Sequence, residues 1–179
     1  MNRHPQIIFD FVSKVKLTSS EEKKLNKWLA LASEVIGESL ADAKFIHHSW
    51  VKSQKNIRVS LLLCGERRMK KINLEHRQKD YATDVLSFPA FETLRTKAQH
   101  FQLMEHELFL GDLVICHQKI ISQAKEFKIS YWDEFIHLLF HGIIHLVGYD
   151  HEISEKEEKL MSRWEDQLLS NFSQKKGAR

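Results

Sequence analysis

The sequence predicts an α+β fold, a single domain in which a mixed β-sheet of about four strands packs with about five helices. The chain has 179 residues, of which 42% are hydrophobic and 28% are charged, as is typical of one soluble globular domain. Short runs rich in β-branched and aromatic residues are interspersed with longer stretches that have apolar residues at helical spacing. The two kinds of segment do not alternate strictly, and no internal repeat appears. We therefore expect one mixed sheet within one domain over residues 1–172.

The first half of the chain contains one well-delimited helical pattern. Ser19 and Glu22 form a capping box, after which apolar residues recur every three or four positions up to Gly37. This pattern predicts an amphipathic helix over residues 20–36. Apolar runs predict strands over residues 6–12, 43–51 and 57–63, and a second helix is predicted from Glu66 to about Glu75.

The second half of the chain begins with a polar stretch that has no periodicity, residues 76–84, which predicts a loop. Ser130 with Asp133 can cap a later helix. Strands are predicted over residues 85–89 and 108–115, a flexible excursion over 92–106, and helices over 117–128, 131–147 and 154–172. The basic residues 173–179 are expected to form a disordered tail.

Histidines cluster in the helix predicted over residues 131–147. His141 and His145 are four residues apart, so they lie one turn apart on the same helix face. Gly148 can adopt a positive φ and end the helix, which lets His151 return over the helix end. Three neutral imidazoles with a fourth position open to water form the arrangement of catalytic zinc. The pattern also fits a buried helix whose histidines are satisfied by hydrogen bonds.

Two neighbours of this cluster have more than one interpretation. His137 lies one turn before His141, where it can be a competing ligand, a pocket wall or a core histidine. Asp150 can orient a ligand, accept a proton or simply stabilise a turn. The cofactor predicted for the cluster is one Zn²⁺ ion, although imidazoles also bind Ni²⁺, Co²⁺ and Cu²⁺. Its predicted ligands are His141, His145 and His151.

The spacing of the three histidines is similar to that of the metzincin metalloproteases. In those enzymes a glutamate directly follows the first histidine and acts as the general base. Here that position is Gly142, which cannot take up a proton. A metalloprotease is therefore the weakest of the functions considered.

Several cationic side chains precede the histidines in the sequence. Arg77, in the predicted loop, can bind a phosphate group bidentately and neutralise charge that develops on it, although it also fits an ordinary surface cation. Tyr81 can stack on a single-stranded base or belong to the core. A basic run on the preceding predicted helix is either a solvated face or a contact to RNA. The run comprises Arg67, Arg68, Lys70 and Lys71.

The remaining composition narrows the class of protein. The formal net charge of +3 permits contact with RNA without demanding it. Cys64 and Cys116 each end an apolar run and form no close pair, so we expect two small buried residues in a reducing compartment. Asp10 interrupts the apolar start of the chain, and no run reaches the roughly 18 apolar residues that span a bilayer. These features favour a cytoplasmic protein without a membrane partner.

Three segments of the sequence together resemble a known family. They are HGIIHLVGYDH at residues 141–151, LGDLVI at 110–115, and the stretch from Asn73 through Arg77 to TDVLSFP at 83–89. In their order along the chain and in their spacing, these segments are similar to the bacterial YbeY endoribonucleases, also called ribosomal RNA maturation factors. The chain departs from the family pattern at Tyr81-Ala82, where the family usually has Lys-Pro.

The resemblance implies an α+β domain with a metzincin-like active-site helix, and Zn²⁺ held by His141, His145 and His151. It implies endonucleolytic cleavage of single-stranded RNA, with Arg77 on the family's functional arginine. It also implies a role in maturing the 3′ end of 16S ribosomal RNA and in ribosome quality control, with the small ribosomal subunit as a partner. The alternative is a ribosome-assembly protein that binds RNA without cutting it and whose metal is structural.

Overall fold

The computed structural model describes residues 4–41, 56–91 and 107–178. Within these ranges it contains the strands β1 (Gln6–Ser13), β2 (Asn56–Cys64), β3 (Val85–Pro89) and β4 (Glu107–Cys116). The helices are α1 (Ser19–Ala41), α2 (Glu66–Arg77), α3 (His117–Phe127), α4 (Tyr131–Leu146) and α5 (Glu155–Gly177). The strand predicted over 43–51 and the excursion predicted over 92–106 lie outside the described residues.

The four strands form one sheet in the order β1-β2-β4-β3. The pairs β1–β2 and β2–β4 are parallel, whereas β3 runs antiparallel to β4, so the predicted mixed sheet and the α+β class are confirmed. Helices α1 and α4 pack against the sheet, and α5 packs against both of them. In the part of the chain that is described, no helix is both long and apolar enough to cross a membrane.

Side chains alternate between two cores on opposite faces of the sheet. The larger core contains the inward side chains of α1, α4 and α5 together with residues such as Leu61 and Leu113. The smaller cluster joins Met69 of α2 to the sheet residues Leu86 and Val114. Helix α2 therefore covers one face of the sheet and α4 lies on the other. Strand β4 contacts both helices, and β3 is the edge strand beside it.

Helix α4 begins and ends as its sequence predicts. Ser130 Oγ accepts the backbone N–H of Asp133 at 3.1 Å, which caps the first turn. At the other end Gly148 has φ of 102°, and its N–H donates to the carbonyl of His145 at 2.9 Å. The N–H of Tyr149 donates to the carbonyl of Ile144, which completes a Schellman turn. The chain therefore reverses directly after the helix.

Helix α1 differs from its prediction at both ends. Its capping pair is Thr18 with Glu21, one residue earlier than expected: Thr18 N–H donates to Glu21 Oε2 at 2.7 Å, and Glu21 N–H donates to Thr18 Oγ1 at 3.3 Å. The helix does not end near Gly37 but continues to Ala41. Leu40 is buried in the last turn, and this packing extends the helix beyond the glycine.

The prediction of a disordered tail over residues 173–179 is wrong for its first five residues, because α5 continues to Gly177. Lys175 Nζ lies 2.7 Å from Glu34 Oε1 and 3.0 Å from Glu38 Oε1, so it binds two carboxylates of α1. Lys176 Nζ lies 2.8 Å from Asp133 Oδ1 on α4. The basic charges that suggested a solvated tail instead attach the last helical turns to neighbouring helices.

Candidate metal centre

The three predicted histidine ligands converge in the structure. Helix α4 places His141 and His145 one turn apart, and the turn at Gly148 brings His151 beside them. One nitrogen of each ring lies within 4.8 Å of the other two, and the Nε2 atoms of His141 and His145 are 3.1 Å apart. This geometry can hold a metal ion.

The spacing of the nitrogens fits a small tetrahedral ion. Zinc–nitrogen bonds of about 2.0–2.1 Å in a tetrahedron place ligand nitrogens about 3.4 Å apart. The observed 3.1 Å between the two Nε2 atoms is close to this value. Three imidazoles leave a fourth tetrahedral position for water or substrate, as in catalytic sites. The donor set alone does not select zinc over cobalt, nickel or copper.

A glutamate that the sequence analysis missed orients one of these ligands. Glu165 of α5 places Oε1 at 3.1 Å from His141 Nδ1 and 3.5 Å from His137 Nε2. Burial by itself favours the neutral acid, but hydrogen bonds from both histidines lower the pKa of Glu165 to about 2. A signal existed in the sequence, because Glu165 lies at helical spacing from the buried Met161 and Leu168.

His137 is held between two carboxylates and does not join the ligand group. Its Nδ1 lies 3.5 Å from Glu134, and its Nε2 faces Glu165 at the same distance. The hydrogen bond with Glu165 raises the pKa of His137. Glu134 is fully buried, and burial raises the pKa of its carboxyl, an effect that His137 opposes. Of the interpretations left open for His137, the structure favours a residue beside the site.

The electrostatics of the site keep His145 neutral. Burial, together with the charges of the nearby His141 and His151, lowers the pKa of His145 to about 4. A neutral imidazole offers the lone pair that a metal requires. Asp150 lines the same cleft, and its Oδ1 accepts the backbone N–H of Glu152 at 2.9 Å, so this carboxylate also stabilises the turn.

Arg77 lies in the same cleft as the three histidines. The cleft has a volume of about 440 Å³ and runs between the end of α2, strand β3 and the turn after α4. Arg77 is the last residue of α2 rather than part of a loop, because Gln78 ends the helix in the left-handed conformation. The guanidinium donates from Nη2 to the backbone carbonyl of Ser87 at 3.1 Å. The fold therefore brings together an arginine and histidines that are distant in sequence.

The predicted basic run divides into two pairs. All four side chains are exposed on α2. Arg67 and Lys70 line a second depression next to the cleft, whereas Arg68 and Lys71 line neither. Lys71 lies 3.6 Å from Glu75 in an exposed ion pair. Only half of the predicted run therefore lines a cavity that adjoins the cleft.

Gly142 is packed too closely for a catalytic glutamate. A Cβ atom at this position would lie 2.6 Å from Leu113 Cδ2 and 3.3 Å from Ser87 Oγ. The position faces the sheet and not the cleft, because Leu113 and Ser87 belong to the adjacent strands β4 and β3. The protease-type general base is therefore absent in sequence and has no room in the structure.

The chain is similar to known proteins in sequence and in fold. The family model described as Endoribonuclease YbeY matches residues 16–173. A protein of that name from Thermodesulfovibrio yellowstonii is 38% identical over 122 residues, covering 68% of this chain and 71% of the relative. One from Caldicellulosiruptor bescii is 36% identical over 141 residues, covering 78% and 86%. The solution structure of a Thermotoga maritima protein matches in fold, with a TM-score of 0.60, 22% identity, and coverage of 96% and 93%.

Proposed function

The chain belongs to the family of YbeY endoribonucleases, and from this premise we propose that it is a zinc-dependent enzyme that cleaves single-stranded RNA at its histidine cleft. The observation that supports the proposal is the single cleft shared by three converging imidazoles and Arg77. A cleft that combines a metal site with a guanidinium suits a phosphodiester, whose negative charge increases during cleavage.

His141, His145 and His151 would hold the ion in this proposal. A zinc ion bound there would supply Lewis acidity and a bound water molecule with a pKa of about 7. The chain prepares the site in two ways. Burial keeps His145 neutral. His141 Nδ1–H donates a hydrogen bond to the Glu165 carboxylate, so that Nε2 of His141 faces the other proposed ligands.

Arg77 would bind the scissile phosphate. A guanidinium has five N–H donors, and the bond to the Ser87 carbonyl uses one and restricts the side chain. Planar donors match phosphate oxygens bidentately, and they stabilise the additional negative charge of the transition state. The helical backbone of α2 fixes the position from which the side chain extends.

The natural substrate in this proposal is the precursor of 16S ribosomal RNA, cut near its 3′ end on the small ribosomal subunit in the cytoplasm. The proposal is supported by the membership of the chain in this family, because the resemblance described above implies this role. Removing the protein from its host should then cause small-subunit RNA with an extended 3′ end to accumulate. The ends of the products identify the nucleophile, because a 2′,3′-cyclic phosphate indicates attack by the neighbouring 2′-hydroxyl.

The decisive experiment incubates zinc-loaded protein with labelled single-stranded RNA, alongside the Arg77→Ala and His145→Ala variants. A matched control is Lys71→Ala, which removes a cation from the same helix outside the cleft. We expect wild type and Lys71→Ala to cut, the other two to lose activity at least about 100-fold, and Arg77→Ala to retain its zinc. Chelation should abolish cutting, and added zinc should restore it.

Two other outcomes contradict the proposal. If all variants cut equally, the activity belongs to a contaminant. If chelation lowers the melting temperature while no variant cuts RNA at all, the metal is structural, and the protein is an RNA-binding assembly factor.

A further inference from the structure

Tyr81 separates the histidine cleft from a second depression. The second depression has a volume of about 520 Å³ and is lined by Glu66, Arg67, Lys70, Tyr81, Ala82 and Lys119. Tyr81 lines both cavities, so they adjoin at this side chain. Both volumes lie within the roughly 300–1,000 Å³ of ligand pockets, so each is large enough for a nucleotide.

The backbone at Tyr81 is hydrogen-bonded to helix α2, although the residue is exposed. Asn73, a buried residue of α2, donates from Nδ2 to the carbonyl of Tyr81 at 2.8 Å. The next residue, Ala82, packs against the small cluster that contains Met69. The Tyr81 side chain is nevertheless 54% exposed. An anchored backbone that presents an aromatic ring to solvent is unlike a core tyrosine and resembles a stacking platform.

The charge of the second depression favours an anion. It combines the cations of Arg67, Lys70 and Lys119 with the single carboxylate of Glu66. Lys70 Nζ lies 3.1 Å from Asp80, so that cation is partly neutralised. Among the described residues, neither Arg67 nor Lys119 has a carboxylate within ion-pair distance. These two side chains come from different helices, α2 and α3, and both line the depression, where they can bind a phosphate.

We propose that the second depression is a nucleotide subsite for the RNA strand, in which a base stacks on Tyr81 and the adjoining phosphate is bound by Arg67 and Lys119. The inference rests on the proposed function, because it extends the strand from the histidine cleft. Stacking on an aromatic face requires an unpaired base, whereas a duplex hides its base faces. The subsite therefore selects single-stranded RNA.

The test measures RNA binding separately from cleavage. The parent protein is the zinc-loaded Arg77→Ala variant, which keeps all three histidines, and the probe is fluorescein-labelled single-stranded RNA followed by anisotropy. Into this parent we would introduce Tyr81→Ala, Tyr81→Phe, or Arg67→Ala with Lys119→Ala. The matched controls are Phe127→Ala, which removes an aromatic ring that is 55% exposed, and Lys71→Ala.

The expected results differ for each variant. Tyr81→Ala should weaken the binding of single-stranded RNA about 5- to 100-fold relative to the parent. Tyr81→Phe should bind as tightly as the parent, since the ring and not the hydroxyl stacks. The double variant should reduce the slope of log affinity against log salt by about 0.7, because the two cations bind one phosphate and each phosphate contact on a single strand contributes about 0.7. Both controls should bind like the parent, and Tyr81→Ala should not alter the weaker binding of duplex RNA.

The failures are distinguishable. If the parent binds single-stranded RNA and the Tyr81 and Arg67/Lys119 variants bind it equally well, the subsite is refuted while cleavage at the histidine cleft stands. If Tyr81→Ala weakens single-stranded and duplex RNA alike, stacking is refuted. If the parent binds no RNA and wild type cuts none, the proposed function and the subsite both fail.

Discussion

Glu165 Oε1 lies 3.1 Å from His141 Nδ1, which joins helix α5 to the histidine cluster on α4. The carboxylate keeps its charge in this half-buried position because two histidines donate to it. It also determines which nitrogen of His141 is free to bind a metal.

Replacing Glu165 with glutamine should weaken zinc binding about 10- to 100-fold, because the neutral amide is a poorer acceptor and makes His141 less basic. Competition with a chromogenic chelator measures this affinity. Asp166→Asn, an exposed change at the next position, is the matched control and should leave the affinity unchanged. Equal zinc affinity in Glu165→Gln and wild type would show that the carboxylate does not act through His141.

Introducing a glutamate at Gly142 tests whether the general base of the metzincin metalloproteases can be accommodated at this position. The new side chain would meet Leu113 and Ser87 inside the packed interface of α4 with the sheet. We expect Gly142→Glu to lower the free energy of unfolding by at least about 3 kcal/mol in urea denaturation, and to gain no peptidase activity. Gly177→Glu is the control, because a Cβ there meets no atom within 4 Å, and its effect should stay within about 0.5 kcal/mol. Casein cleavage by a folded Gly142→Glu variant would refute this account.

The Asp84 carboxyl should contribute a pH-dependent part of the stability. Burial alone favours its neutral form, but hydrogen bonds from Gln123, Val85 and Thr83 hold its pKa below the ordinary value. Since the pKa is depressed in the folded state, the contribution is fully present above about pH 4 and is lost as the pH falls through the folded pKa.

We therefore expect Asp84→Asn to be about 1 kcal/mol less stable than wild type near about pH 7, with a smaller difference near about pH 3. Urea unfolding of both proteins at the two pH values measures this change. Other carboxyls with depressed pKa, such as Glu165, are present in both proteins and cancel in the comparison. A difference that is the same at both pH values would contradict the assignment.

The two cysteines should be inert in the folded protein. Cys64 and Cys116 are fully buried and form no disulfide bond. They lie opposite each other on the neighbouring strands β2 and β4. Burial, aided by the charge of Cys116, raises the pKa of the Cys64 thiol to about 11, which leaves little of the reactive thiolate. A colorimetric thiol reagent should label neither residue in buffer and both in denaturant. An exposed Ser122→Cys variant provides the positive control, and rapid labelling of the native wild type would contradict the burial.

The sequence determined the features that depend on neighbours along the chain. The helix over His141 and His145 follows from apolar spacing, its start from Ser130 and its end from Gly148, all confirmed in the structure. The convergence of the three histidines follows for the same reason, because they lie within eleven residues of one another, and their role as metal ligands stays a prediction. Local backbone geometry is sufficient to bring such residues together.

Only the tertiary structure decided what lies opposite these histidines. Arg77 reaches the cleft because α2 and α4 flank the strand β3, and the strand order β1-β2-β4-β3 depends on pairing between distant segments. Glu165 is 24 residues from His141, and Tyr81 and Lys119, which are also distant in sequence, line the same depression. Such residues come together when the burial of apolar surface packs whole helices and strands against one another. The hydrophobic effect is non-directional, so the apolar pattern of one segment does not specify which distant segment packs against it. Periodicity therefore predicts each element, whereas packing selects the side chains that share one cleft.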